Sequence, residues 1–146
     1  MADAARAIIL QGDKMLLMYR DKNGKTYFTL VGGRVQDGES PEQALAREVK
    51  EETGLDIVSS RLVYIEEHPE PYNRQYIFVC EVAPHGDVAI QGASEEALMN
   101  QLSTNLHRPQ WVSAASFASL PFLTIQLQEA IATALKKGFP EQPIKL

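Results

Sequence analysis

The chain has 146 residues and a 45% hydrophobic content, which is the composition of an ordinary globular domain. A chain of this length can bury a core of its own, so we expect a single domain over residues 1–146. The formal net charge of −5 argues against a duplex nucleic-acid partner, because such a surface needs clustered lysine and arginine to replace phosphate counterions.

The single cysteine, Cys80, excludes an internal disulfide and a zinc site built from several cysteines. No apolar run reaches the length of a membrane span, and the N-terminus lacks the basic-then-apolar pattern of a signal peptide. We therefore expect a cytoplasmic protein that has no membrane partner.

The first third of the chain has the pattern of strands joined by tight turns. Ala5–Gln11 and Met15–Arg20 are apolar-rich runs separated by Gly12-Asp13-Lys14, which predicts a β-hairpin. A second turn at Lys22-Asn23-Gly24 leads into a β-prone run over Thr26–Val31.

A helix is predicted after the pair Gly32-Gly33, where the period of the apolar residues changes. Ser40 is a good N-cap, Pro41 suits the first helical position, and Gln43 completes a capping-box pattern. Gly54 is placed to end the helix in the left-handed conformation.

The second half of the chain returns to strands and ends in a helix. Asp56–Glu67 and Gln75–Ala83 are strand-like, and the second is apolar on both faces, which predicts a strand covered on both sides. Between the second of these strands and the terminal helix, we expect a helix after Ser94 and a short strand at Gln110–Val112. The terminal helix has an apolar stripe formed by Leu123, Leu127, Ala130, Ile131 and Ala134. This order predicts an α/β fold in which helices cover a mixed β-sheet.

The internal helix carries a cluster of carboxylates beside its apolar stripe. At about 100° per residue, Leu45 and Val49 define the inward face, and Glu48, Glu51 and Glu52 share an arc of roughly 100°. Like charges so close destabilise a helix, and partial burial strengthens the repulsion. A bound divalent cation removes the conflict, and ligands that are all oxygen favour Mg²⁺ or Mn²⁺.

Neighbouring residues fit the same site. Arg47 lies beside Glu51 at i+4 and can hold that carboxylate in one orientation. Gly32-Gly33 lets the backbone run close to a ligand, and Glu39 is spaced to return toward the helix. A glutamate-rich helix face alone is usually just solvated, and Gly-Gly alone is usually a turn. The ordered conjunction favours a functional site.

The stretch Gly33–Leu55, GRVQDGESPEQALAREVKEETGL, resembles the Nudix box, G-x5-E-x7-R-E-U-x-E-E-x-G-U, in which U is a bulky aliphatic residue. The fixed positions are filled by Gly33, Glu39, Arg47, Glu48, Val49, Glu51, Glu52, Gly54 and Leu55. The one departure is Val31, where many relatives carry proline, and it lies outside the fixed positions.

The resemblance implies the Nudix α/β/α sandwich, and a metal-assisted attack of water on phosphorus within a diphosphate. The expected partner is a small nucleotide-like diphosphate, such as a nucleoside triphosphate, ADP-ribose or a dinucleoside polyphosphate, and the resemblance is compatible with a homodimer. One alternative is a non-catalytic nucleotide-sensing domain. Another is an isopentenyl diphosphate isomerase, which would need a catalytic cysteine, whereas Cys80 fits a buried strand better.

The resemblance also implies roles for particular residues. The implied metal ligands are the carbonyl of Gly32 and the carboxylates of Glu48, Glu51 and Glu52. We expect Glu48, Glu52 and Arg47 to support catalysis. The general base differs among subfamilies, so Glu48, Glu52 and a glutamate of the following loop, Glu95 or Glu96, all stay open.

The remaining chemistry-bearing residues have ordinary expectations. His68, His85 and His107 show no ligand spacing and are expected on the surface or in loops. Packing is the expected role of four aromatic residues that could also stack on a base, namely Tyr72, Tyr76, Phe28 and Trp111. Surface charge is the expected role of Arg20, Arg74 and Arg108, although each could contact phosphate.

Two substrate-linked positions disagree. In Nudix proteins a proline about sixteen residues past the box accompanies ADP-ribose hydrolysis, and Pro71 is there. A tyrosine about seventeen residues past it accompanies dinucleoside polyphosphates, and Tyr72 is there. The sequence therefore leaves the substrate open.

Overall fold

A computed structural model describes residues 2–91 and 105–146. The strands are β1 (Ala4–Gln11), β2 (Lys14–Lys22), β3 (Lys25–Thr29), β4 (Val31–Arg34), β5 (Ile57–Glu67), β6 (Arg74–Val82), β7 (Asn105–Ser113) and β8 (Ile144–Lys145). The helices are α1 (Pro41–Thr53), a 3₁₀ helix (Ala114–Ser119) and α2 (Ile125–Lys137).

The sheet is mixed, as predicted, and has two parts. The first part runs β4-β1-β6-β5-β8, with β1 parallel to β6 and β5 parallel to β8. The second part is antiparallel and runs β3-β2-β7. The predicted hairpin of β1 and β2 joins them, through the pair Leu10↔Met15.

Alternate residues of β1 divide the core between the two helices. Ala7 and Ile9 lie in the cluster beneath α1 together with Leu45. Ile8 lies in the cluster beneath α2 together with Ile131. Because successive side chains of a strand point to opposite faces, the sheet is covered on both sides and the chain forms an α/β/α sandwich.

Strand β6 has the two-sided burial that its sequence predicts. Phe78 and Cys80 pack on the side of α1, whereas Ile77 packs on the side of α2. Burying a side chain such as Ile77 or Phe78 contributes about 1.5–3 kcal/mol, so this central strand is a main source of stability.

The ends of α1 are set by the residues that the sequence singled out. The Ser40 hydroxyl accepts the Gln43 backbone N–H, and the Gln43 side chain accepts the Ser40 N–H, which completes the capping box. Gly54 ends the helix at φ +80°, and its N–H donates to the Lys50 carbonyl. The position and orientation of α1 are therefore fixed by local contacts.

Three predicted elements differ from the structure. Strand β7 is longer than Gln110–Val112, because it pairs with β2 along its whole length. The run Thr26–Val31 divides between two strands, because β3 pairs with β2 whereas β4 pairs with β1. Leu123 does not belong to the stripe of the last helix: Thr124 is the N-cap of α2, and Leu123 lies before it, 46% exposed. The helix predicted after Ser94 falls outside the described residues.

Over residues 2–91 and 105–146, no helix has both the length and the apolar character needed to cross a membrane.

Candidate active site

A cleft of about 160 Å³ opens where the glycine pair of β4 meets α1. It is lined by Arg6, Met18, Arg20, Thr29, Gly32, Gly33, Arg34, Glu48, Glu52, Tyr72, Asn105 and His107. The cleft therefore gathers residues of the Nudix-like box and residues from five other parts of the chain, namely β1, β2, β3, the segment before β6, and β7.

The two glycines allow a close approach that no other residue could make. Gly32 has φ +135°, and a Cβ there would lie 2.1 Å from the Ala5 carbonyl oxygen of β1. A Cβ on Gly33 would lie 2.5 Å from the carboxyl carbon of Glu48. The pair thus lets β4 lie against β1 and against the carboxylate of Glu48. Its predicted approach to a ligand stays a prediction.

Two glutamates of α1 are buried and face the cleft. Glu52 is 3% exposed, and its Oε1 accepts the Gly32 backbone N–H at 2.6 Å. Glu48 is 7% exposed, and its Oε1 accepts from Nη1 of Arg47 at 2.9 Å. The helical angle placed Glu52 nearest the apolar stripe, and its burial agrees with that placement.

Arg47 connects the turn before α1 with the carboxylates of the helix. Its closest partner is Glu39, which it holds with two hydrogen bonds, Nε–Oε2 at 2.7 Å and Nη2–Oε1 at 2.9 Å. It also donates to the Arg34 carbonyl at 2.9 Å. The predicted contact with Glu51 is present, but at 3.4 Å it is the longest of the five that Arg47 makes. Arg47 therefore braces the turn and Glu48 more than it braces Glu51.

The pairing with Arg47 changes the acidity of Glu39. The hydrogen bonds from Arg47, followed by one from the Gln36 backbone, lower the pKa of Glu39 from 4.5 to about 2. The same pair raises the pKa of Arg47. Both groups stay ionised at neutral pH, and their double hydrogen bond has the fork geometry that fixes an arginine in one orientation.

The donor set fits a hard divalent cation that keeps part of its water. Within the described ranges, no three side chains of His, Cys, Asp or Glu come together as a complete metal cluster. Glu51 is 37% exposed at its side chain and turns toward Arg47, so Glu48 and Glu52 are the carboxylates that face the cleft. A hard cation such as Mg²⁺ is usually held by one or two carboxylates, with water and substrate phosphates completing its shell. Two buried negative charges one helical turn apart also favour a cation.

The cleft is also lined by Arg6, which the sequence pattern did not single out. Its Nη1 donates to the Gly32 carbonyl at 2.9 Å, its Nε to Oε1 of Gln75 at 3.0 Å, and its Nη2 to the Tyr72 hydroxyl at 3.3 Å. The guanidinium also lies over the Tyr72 ring, 5.5 Å from its centroid. One indication of this role was available from the sequence, because Arg6 is a charged residue inside the apolar run of β1.

Arg20 and His107 lie on the same side of the cleft because β2 pairs with β7. The register places Arg20 opposite His107, and Nη2 of Arg20 donates to Oδ1 of Asn105 at 2.7 Å. Burial, and then the charge of Arg20, lower the pKa of His107 to about 4, so its ring is neutral at pH 7. The expectation of an ordinary surface or loop histidine is therefore wrong for His107, because the length of β7 was not predicted.

A second cavity of about 230 Å³ adjoins the cleft. The two cavities share four lining residues, which are Arg6, Arg20, Thr29 and Tyr72. The second cavity is further lined by Tyr27, Pro71, Leu123 and Leu127 among others. Together the cavities have room for a ligand with a charged group in the cleft and an aromatic group in the second cavity, beside Tyr27 and Tyr72.

Other residues considered from the sequence lie away from the cleft. Trp111 stacks on His85 with ring centroids 5.9 Å apart, and Tyr76 packs beneath α1. Burial raises the pKa of the Cys80 thiol to about 12, so this cysteine is not a ready nucleophile. Glu95 and Glu96, the alternative general bases, fall outside the described residues.

Comparisons with known proteins identify the family. The family model described as NUDIX domain matches residues 1–133. The chain belongs to the NUDIX family. Solved structures similar to this NUDIX chain include one from a structural and functional study of MutT from Aliivibrio salmonicida and Vibrio cholerae. It has TM-score 0.69 and 18% identity, and the match covers 94% of this chain and 98% of the other. An ADP-ribose pyrophosphatase from Streptococcus suis has TM-score 0.61, 22% identity and coverage of 99% and 96%. These two likenesses support the fold.

Curated relatives of the NUDIX chain carry more than one activity in their names. A putative 8-oxo-dGTP diphosphatase from Bacillus subtilis is 30% identical over 68% of this chain and 64% of the relative. The NAD-capped RNA hydrolase NudC from Stutzerimonas stutzeri is 33% identical over 52% of this chain and 28% of the relative. The NUDIX chain thus spans about a third or less of the length of the NudC relatives that it matches.

Proposed function

We propose that this chain is a metal-dependent Nudix hydrolase that cleaves a diphosphate bond in a small nucleotide-like substrate. The observation that carries the proposal is the burial of Glu48 and Glu52, one helical turn apart, in a cleft that is also lined by Arg6 and Arg20. Buried carboxylates would repel phosphate on their own. Together with a cation and two arginines, they suit a substrate with several phosphate charges.

The glutamates of α1 have separate roles in this proposal. Glu52, held by the Gly32 N–H, and Glu48, held by Arg47, supply carboxylate ligands, and Glu51 reaches the metal site through water or after a side-chain rotation. A divalent cation bound there supplies charge neutralisation on the phosphate and an acidified water. Glu48, Glu52, Glu95 or Glu96 would accept the proton of the attacking water.

The substrate class is supported only at a coarse level. The names of the relatives include 8-oxo-dGTP diphosphatase, ADP-ribose pyrophosphatase and NAD-capped RNA hydrolase, all of which refer to nucleotide compounds. We therefore propose a nucleoside diphosphate linked to a further group as the substrate. We also propose Mg²⁺ or Mn²⁺ as the cofactor, a cytoplasmic location, and no duplex nucleic-acid partner.

The test is a turnover screen across nucleotide classes, each with Mg²⁺, with Mn²⁺ and with EDTA, followed by a coupled assay for phosphate. We expect turnover of at least one nucleotide that requires the divalent cation. Full turnover in metal-free buffer would contradict the metal site. Binding of nucleotides without any product, under every condition, would favour the ligand-sensing alternative.

A further inference from the structure

Arg6 is anchored from behind by a buried chain of polar side chains. Arg6 lies within the largely buried strand β1 and is itself partly buried, so its guanidinium needs partners. Its Nε donates to Gln75, and Gln75 in turn donates from Nε2 to Oε1 of Glu66 at 2.8 Å. Gln75 and Glu66 are 7% and 3% exposed. This chain fixes the base of the guanidinium while its outer nitrogens face the cleft.

The outer nitrogen Nη1 of Arg6 is bonded to the carbonyl oxygen of Gly32, and the N–H of Gly32 is bonded to Glu52. The Gly32 carbonyl, which the Nudix resemblance implies as a metal ligand, therefore already accepts a hydrogen bond from a cationic side chain. A guanidinium donates hydrogen bonds to carbonyl oxygens, and a hard cation binds the same oxygens as ligands. Two positive groups at one oxygen repel each other. Arg6 and a bound cation therefore oppose each other at this oxygen.

The location of Arg6 indicates where its guanidinium can go instead. It lines both the cleft and the second cavity, at their junction beside Tyr72. While Nε stays on Gln75, a tilt of the guanidinium moves Nη1 away from the carbonyl and into the cleft. A planar guanidinium with several N–H donors matches the geometry of a phosphate group.

We propose that Arg6 is a metal-released positioning residue: it holds the Gly32 carbonyl in the metal-free protein, and transfers to a phosphate of the substrate when a divalent cation takes that carbonyl. The proposal rests on the proposed function, since it needs a metal site at Glu48 and Glu52. It assigns Arg6 two partners that exclude each other and links metal binding to phosphate binding.

The first measurement is the affinity for Mn²⁺ without nucleotide, by calorimetry, in wild type, Arg6→Gln and Arg20→Gln. Arg20 is the matched control, because it lines the same two cavities with the same charge but bonds to Asn105. We expect Arg6→Gln to bind Mn²⁺ about three- to tenfold more tightly than Arg20→Gln. Equal affinities would show that only the charge matters, and weaker binding by Arg6→Gln would show that Arg6 supports the metal; either result overturns the proposal.

The second measurement is the binding of adenosine 5′-(α,β-methylene)diphosphate in saturating Mg²⁺. We expect Arg6→Gln to bind this uncleavable diphosphate about tenfold more weakly than wild type, and unchanged binding would overturn the transfer to phosphate. The wild type gives a test that does not depend on how the variants fold. The Arg6 Nε–H resonance should move when Mg²⁺ is added, and a resonance that stays in place would overturn the proposal.

Failure of the two proposals can be told apart. Absence of Mn²⁺ binding by wild type, with or without the methylene diphosphate, would contradict the metal-dependent function itself. Normal Mn²⁺ binding by wild type with no difference between Arg6→Gln and Arg20→Gln would contradict the role of Arg6 alone.

Discussion

The cleft contains two groups of residues that are assembled in different ways. The acidic wall consists of Glu48 and Glu52, and the basic wall consists of Arg6 and Arg20, together with the neutral ring of His107. The partners described for the acidic wall, Gly32 for Glu52 and Arg47 for Glu48, lie within residues 32–55, as does Glu39, which holds Arg47. The basic wall is held across 69 residues from Arg6 to Gln75 and across 85 residues from Arg20 to Asn105. The proposed chemistry therefore depends on a local motif, whereas the substrate contacts depend on the whole sheet.

The largest effect should come from Glu52→Gln on the acidic wall. Glutamine keeps the shape and can still accept the Gly32 N–H, but it removes a charge from a side chain that is 3% exposed. We expect the rate in Mg²⁺ to fall by at least about 100-fold while the metal-free fold is as stable as wild type or more so. Initial rates in Mg²⁺ and thermal melts in EDTA measure the two quantities. A lower melting temperature with near wild-type turnover would mean that Glu52 is structural.

Arg47→Ala should have the next largest effect, because Arg47 holds Glu48 and Glu39 in place. Its loss should reduce metal affinity or rate by roughly 10–100-fold. The matched control is Lys50→Ala, since Lys50 lies on the same helix but pairs with the exposed Asp56 away from the cleft. Metal titrations and initial rates on both variants make the comparison. Equal behaviour of the two variants would show that Arg47 is only a surface charge.

The acidic wall was predictable from the sequence because its contacts are local. The cap at Ser40, the end at Gly54 and the helical period fix α1, and from α1 the burial of Glu52 beside Leu45 follows. The contact of Glu39 with Arg47 also spans only eight residues. The sequence did not predict that Arg47 binds Glu39 more closely than Glu51. Glu39 accepts two hydrogen bonds from Arg47, whereas Glu51 accepts one, at 3.4 Å.

The basic wall could not be predicted, because no short stretch of sequence contains it. His107 reaches the cleft only through the pairing of β7 with β2, and Pro109 interrupts the strand pattern that would have indicated β7. Arg6 has partners on β4 and β6, whose order in the sheet is a tertiary property. For the same reason Leu123 fitted a helical stripe by spacing alone, although the Thr124 cap starts α2 after it.

A moderate effect is expected from His107 on the dependence of stability on pH. Its pKa is about 4 in the folded state against 6.5 ordinarily, so between these values the unfolded chain binds a proton that the folded chain does not. Stability should therefore fall as pH drops from 6.5 to 4, by about 1 kcal/mol after allowance for screening at this half-buried site. The free energy of unfolding of His107→Gln, measured with urea at pH 7 and at pH 4.5, should therefore change less with pH than that of wild type. The same change of unfolding free energy with pH in both proteins would contradict the lowered pKa of His107.

The smallest effect is expected from Glu39→Gln, at the edge of the acidic wall. The pKa of Glu39 is about 2 when folded, so its stabilising pair with Arg47 is complete above pH 4.5 and is lost as pH falls toward 2. Wild type should unfold at a higher urea concentration than Glu39→Gln at pH 6, and the two should converge as the buffer is acidified. A gap between the two proteins that does not narrow on acidification would contradict this assignment.

Strand β1 is hydrogen-bonded on both edges, to β4 and to β6, over Ala4–Ala7. Amides in such a strand exchange with solvent deuterium only when a large part of the sheet opens. The backbone of Arg6 should therefore be among the slowest to exchange, in the presence and in the absence of metal. Any adaptation of the basic wall to a ligand is then confined to side-chain rotation, and a change in exchange at β1 on adding a nucleotide would report opening of the sheet itself.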